Sequence, residues 1–226
     1  MRDDDAVARL TAMSADQFGV FTVEQAAAVG VDLATLERLE QVERPWPSVD
    51  GIYELPNSGF EDDSAYGLWL SLDPATMARD RIAPQCGVMS HRSAANWLNQ
   101  GDFLPDLVVT LPPDAPALHI TDRTAKRIVV CRVPLPPQDW FMHNGVPVTT
   151  PARMVRDLLE IDDEPLPLED ETSVGRILLG IQKNGDLDLN SLAVELDDYA
   201  RRENYGGGEY LVRLLNDAAQ PGSGAR

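Results

Sequence analysis

Along the chain the apolar positions recur every three to four residues at both ends and in short β-branched runs between them. The first pattern predicts helices and the second strands. From Asp3 to Met13 acidic residues fill a first turn and Val7 and Leu10 stand at core spacing, which predicts a helix. Thr22 and Gln25 then form a T-x-x-Q capping box that opens a second, short helix ended by Gly30. After a corner at Val31-Asp32 a third helix begins, with Asp32 as its N-cap. Leu33, Leu36 and Leu39 are expected on its buried side, with Thr35, Arg38 and Gln41 opposite. Two extended runs from Val42 to Leu55 flank Ser48-Val49-Asp50-Gly51, a strong hairpin signal because Asp-Gly tolerates positive φ. Helix, helix, corner, helix and β-ribbon together outline a winged helix-turn-helix, whose third helix enters a major groove.

The acidic turn-former Pro56 to Asp63 marks a boundary. The reading is therefore a winged helix over residues 1–57, a larger α+β domain over 58–219 and a loose tail over 220–226. In the larger part, helices are predicted for Ser64–Leu72, with Leu68, Trp69 and Leu72 inward, and for Met89–Gln100. Segments DLVVTLPP, RIVVCRVPLPP and GVPVTT read as strands of a small sheet, with His119–Thr121 as a further candidate. Thr150-Pro151 opens a helix with Met154, Val155, Leu158 and Leu159 as its buried stripe. Beyond an acidic linker at 160–171, helices are predicted for Ser173–Lys183, Ser191–Glu203 and Glu209–Ala218.

Composition narrows the function classes. The 226 residues are 43% hydrophobic and 25% charged, the balance of a soluble globular protein. No apolar run is long enough to span a membrane, and Asp3 to Asp5 do not suit a signal peptide, so a cytoplasmic location and no membrane partner are expected. Cys86 and Cys131 are expected as buried thiols rather than a bridge. The net charge of −18 works against phosphate binding. It is −7 over residues 1–57, −2 over 58–159 and −9 over 160–226, so the proposed DNA-reading segment is itself acidic.

The order of motifs resembles the AbiEi family of antitoxins from type IV bacterial toxin–antitoxin systems. The residues that carry the resemblance are Gly19 to Ala26, Gly30-Val31, Leu33 to Leu39 and Gly51-Ile52-Tyr53, then Ser90 to Ala94, Val108 to Pro112 and Gly145 to Arg153. The resemblance implies an N-terminal winged helix that binds the operon's own promoter. It further implies a C-terminal part that counteracts a nucleotidyltransferase toxin, with no enzymatic activity of its own and no cofactor. A stand-alone winged-helix transcriptional regulator without a toxin partner is the alternative.

Five residues form the candidate DNA-binding set: Thr35, Arg38, Gln41, Arg44 and Trp46. They share their segment with Glu37, Glu40, Glu43, Asp50 and Glu54, and an ordinary solvated helix face is the competing account. A candidate basic contact surface comprises Arg123, Lys126 and Arg127 with Arg153 and Arg156, set against a solvated loop that balances acidic neighbours. Catalytic and metal residues are not expected. Ser90-His91 lacks a nucleophile elbow, and adjacent helical positions point in different directions. His91, His119 and His143 are scattered, Gly206 to Gly208 lacks the lysine of a phosphate loop, and no Glu-x-Lys of a nuclease follows Glu160.

Overall fold

A computed structural model describes residues 2–41, 46–49, 51–56, 63–98, 106–122, 124–160, 171–183 and 187–219, with backbone alone at 46–49 and 63–64. The fold is α+β. The chain divides into two compact units, one of residues 1–88, 105–134 and 144–146, the other of 89–104, 135–143 and 147–226.

The first unit opens with α1 (Asp3–Ser14), β1 (Val20–Thr22), α2 (Val23–Ala28), α3 (Leu33–Glu40), β2 (Trp46–Val49) and β3 (Ile52–Glu54). The three strands form an antiparallel sheet in the order β1-β3-β2, with Phe21 opposite Tyr53 and Thr22 opposite Ile52. Both halves of the capping box are present: the Gln25 amide N–H donates to Thr22 Oγ1, and Thr22 N–H donates to Gln25 Oε1. Asp32 caps α3 through Thr35 N–H, and Gly51, at φ +75°, turns the hairpin. Ala6, Leu10, Phe21, Ala26, Leu36, Leu39 and Tyr53 make one core. Leu33 departs from expectation, being 47% exposed, and Thr35 takes an inward position at 8%. At about 100° per residue the arc centred between Leu36 and Leu39 includes Thr35 and leaves Leu33 at its margin.

The boundary expected at residue 57 is not where the first unit ends. Helix α4 (Asp63–Ser71) packs on β1, β2 and β3, and all three residues of β1 are buried. Gln17 and Gln25 bond each other at 3.0 Å and reach further along the chain, Gln25 to the Thr76 carbonyl and Gln17 to the Ala78 N–H. Arg81 lies half-buried over the Trp69 ring and donates to the carbonyls of Trp69 and Leu70 in the last turn of α4 and of Asp73 just past it. These bonds satisfy the carbonyls a helix leaves open at its C-terminus.

Five further strands are β4 (Val88–Met89), β5 (Leu107–Leu111), β6 (Ile128–Arg132), β7 (Trp140–His143) and β8 (Val146–Thr149). In the first unit β5 and β6 are parallel, with Val109 opposite Val130. In the second, Met89 of β4 pairs in parallel with Val148 of β8. Two differences from the sequence reading follow: Val88-Met89 is a strand where a helix start was expected, and His119–Thr121 joins no ladder. His119 N–H donates instead to the Leu72 carbonyl.

The second unit carries α5 (His91–Trp97), α6 (Pro151–Leu159), α7 (Glu171–Lys183), α8 (Leu189–Glu195), α9 (Asp197–Arg202) and α10 (Gly208–Ala218). The single helix expected over Ser191–Glu203 is broken at Leu196 into α8 and α9. Thr150 caps α6 through Arg153 N–H, with Pro151 in its first turn. Helix α10 lies against α7 and α8 at two glycines. A Cβ on Gly175 would overlap the Leu215 carbonyl oxygen, and one on Gly208 the Ala193 carbonyl oxygen.

Candidate functional site

Two groups of residues merit examination as sites, the outer side of α3 and a buried polar cluster at the start of α6. On α3, Thr35 is buried, at 8% exposure. Arg38 is exposed, but its guanidinium donates to Asp3 Oδ1 from both Nε (3.1 Å) and Nη2 (2.8 Å). Gln41, just past the helix, is exposed. Arg44 and the side chain of Trp46 lie outside the described residues. One member of the DNA-reading set is thus buried, and its central cation is engaged by the acidic first turn of α1.

The proposed basic surface is also divided. Arg123 lies outside the described residues, and Arg127 is 3.6 Å from Asp106 in the first unit. Arg153 and Arg156 belong to the second unit, where Arg153 is half-buried and committed to two carboxylates. Its Nε donates to Asp157 Oδ1 at 2.6 Å and its Nη1 to Asp139 Oδ2 at 2.9 Å, while Arg156 Nη2 reaches the same Asp139 oxygen at 3.0 Å. Asp157 lies one helical turn from Arg153, inside the apolar stripe of α6. A carboxylate among Met154, Val155 and Leu158 signals a buried cation, and that much was available in the sequence. Asp139, 14 residues before Arg153, carried no such signal.

Burial sets the electrostatics of this cluster. It lifts the Asp157 carboxyl to about 6 against the attraction of Arg153 and Arg156. Asp157 Oδ2, Arg156 Nε and Thr149 Oγ1 are buried without a hydrogen-bond partner among the described residues. His91 is pushed down to about 4, first by burial and then by Arg153 and Arg92. Its φ is +51°, and Ser90 is extended, so the adjacent side chains meet with Ser90 Oγ 3.0 Å from His91 Nδ1. The divergence expected of neighbouring helical positions fails because the helix begins only at His91. The pair still makes a poor nucleophile and base, since Ser90 is fully buried and the His91 ring is a weak base. A cavity of about 550 Å³ beside the cluster is lined by Gln138, Asp139, Thr150, Arg156, Asp188 and Glu195, among others. Asp139 in it holds two arginines, and Asp188 caps α8.

Among the described residues, no group of three or more His, Cys, Asp or Glu side chains is arranged to hold a metal. No described helix is long and apolar enough to cross a membrane. Cys86 and Cys131 are half-buried rather than fully enclosed, and burial raises Cys86 to about 11.

No family model matches the chain, and no curated protein matches it. Among solved structures the chain is similar to the crystal structure of the RV2827C protein from Mycobacterium tuberculosis. The two share 17% identity with a TM-score of 0.49, over 97% of this chain and 79% of that one.

Proposed function

We propose that this protein is a non-enzymatic antitoxin of the AbiEi type that neutralises a cognate nucleotidyltransferase toxin. On this reading residues 1–57 form a winged helix-turn-helix that represses the operon's own promoter. The observation that carries the proposal is the meeting of two motif segments far apart in sequence. Pairing of Met89 with Val148 sets Ser90–Ala94 and Gly145–Arg153 beside each other at the ends of parallel strands. The helices they open, α5 and α6, pack together, and Arg153 lies near enough to His91 to lower its basicity. Residues that serve one packed unit are expected to recur together, which is how the resemblance reads them. At the N-terminus the capping box, the Asp32 cap and the Gly51 turn support the winged-helix assignment by the same logic.

Co-expression is the test. The nucleotidyltransferase encoded in the neighbouring reading frame is induced with and without this protein, and growth is followed. Growth arrest relieved by the antitoxin is the expected result. Arrest that persists while the protein is soluble and abundant would exclude the proposal and move weight to a stand-alone transcriptional regulator.

A further inference from the structure

The exposed side chains of α3 are Leu33, Ala34, Glu37, Arg38 and Glu40, followed by Gln41 just past the helix. At about 100° per residue, Ala34 and Gln41 stand opposite the buried arc of Thr35, Leu36 and Leu39. Glu37 flanks them on one side, with Leu33 one turn before it, and Arg38 flanks them on the other. Leu33, at 47%, is the only exposed large hydrophobic side chain among the described residues of 2–56.

The two flanks offer different chemistry. Arg38 lies toward α1, where Asp3 holds it through two hydrogen bonds. Asp32 takes up the Thr35 N–H, so the first turn of α3 already carries a carboxylate where a phosphate could otherwise be received. The Leu33 flank presents an aliphatic side chain and the carboxylate of Glu37.

A helix-turn-helix sets the N-terminal residues of its second helix against base edges in the major groove. The hydrogen-bond donors presented there are the N4 amino group of cytosine and the N6 amino group of adenine. An ionised carboxylate only accepts, so guanine, with O6 and N7, and thymine, with O4, repel it. Adenine sets its N7 acceptor beside N6, which leaves cytosine as the base that suits a carboxylate. Thymine is marked by its methyl group, which an aliphatic side chain contacts. Leu33 and Glu37 are about 6 Å apart along the helix, close to two base-pair steps.

We propose that α3 reads its operator with apolar and acceptor groups: Glu37 selects cytosine by its N4 amino group and Leu33 selects thymine by its methyl. Ala34, with a single side-chain carbon, lets the helix approach the base edges. This inference rests on the promoter-binding reading and adds to it the bases that are read and the side chains that read them. The acidity of the segment is then part of the selection. A carboxylate near phosphates disfavours every complex, and a cytosine at the right step offsets that cost, so selectivity comes from rejecting wrong sites.

The experiment uses the full-length protein and two DNA probes, the upstream region of its own reading frame and a duplex library with a randomised core, both at low salt. Wild type is compared with Leu33→Ala, with Glu37→Gln and with Glu40→Gln as a control of like charge change on the same helix, after circular dichroism shows that each folds. Wild type is expected to enrich duplexes with a fixed cytosine and thymine, and to lose at least about fivefold in affinity when that cytosine is replaced. Glu37→Gln is expected to exchange the cytosine preference for adenine, whose N6 and N7 suit an amide, while Glu40→Gln keeps the wild-type preference. Replacing the selected thymine by uracil, which lacks only the methyl, should weaken wild type about fourfold and leave Leu33→Ala within about twofold. Wild type indifferent to uracil, Glu37→Gln with an unchanged base preference, or Glu40→Gln with the same exchange as Glu37→Gln would each overturn this assignment and leave promoter binding intact. Wild type that neither shifts the upstream region nor enriches any duplex would overturn both.

Discussion

His91 and Asp157 sit near the same half-buried arginine, Arg153, and their acidities are shifted in opposite senses. His91 is lowered to about 4, first by burial and then by Arg153, so its contribution is complete above its unfolded value near 6.5 and drains as pH falls toward 4. Asp157 is raised to about 6 by burial, so its contribution is complete below an unfolded value near 3.9 and drains as pH rises through 6. Between pH 4 and 6 the two slopes oppose. Asn is among the residues that tolerate left-handed backbone, so His91→Asn keeps the φ of +51° and removes the titrating ring. The stability of wild type relative to this variant is expected to rise from pH 4.5 to pH 6.5, by on the order of 2 kcal/mol. Chemical denaturation of both proteins across that range checks it, and curves that stay parallel would show that His91 takes up no proton on unfolding.

At the scale of elements the decisive contacts are close approaches of backbone. Gly175 has no room for a methyl group against the Leu215 carbonyl oxygen, so Gly175→Ala must push α7 and α10 apart. A loss of at least about 2 kcal/mol is expected, despite the better helix propensity of alanine. An equal or higher melting temperature for Gly175→Ala would contradict the tight packing of these helices. What the sequence revealed follows the reach of each signal. The Thr22–Gln25 box, the Asp32 cap and the Thr150-Pro151 start are read from residues three apart or fewer, and each stands as expected. The extent of the first unit was not legible, because Gln17 and Gln25 find their partners at Ala78 and Thr76, 61 and 51 residues on. Strand β1 was hidden for a related reason: Val20 to Thr22 is too short for a period, and β3 and α4, which pack on it, come from later in the chain. Of the candidate site, Arg153→Asp157 spacing was visible on α6, whereas Asp139 reaches it only through the fold.

For the whole molecule the governing quantity is a net charge of −18, and it bears most directly on the proposed promoter binding. A protein held by phosphates loses affinity with salt in proportion to the cations it inserts among them. Here the described outer side of α3 presents Arg38 beside the exposed Glu37 and Glu40, and Arg38 is already paired with Asp3. Binding would have to break that exposed pair, which is worth only about 0–1 kcal/mol, and bring Asp3, Asp4 and Asp5 near the duplex. Gel shifts of the upstream region over a salt series should therefore show a shallow dependence, of only a few charges. Arg38→Ala should abolish the specific shift, and Asp3→Asn should strengthen it several-fold by freeing the guanidinium and removing one repulsive charge. The Asp3 variant separates this account from a general loss of positive charge, because it improves binding without adding a cation. If Asp3→Asn binds no better than wild type, or if the slope corresponds to many released counterions, the reading surface lies elsewhere than α3.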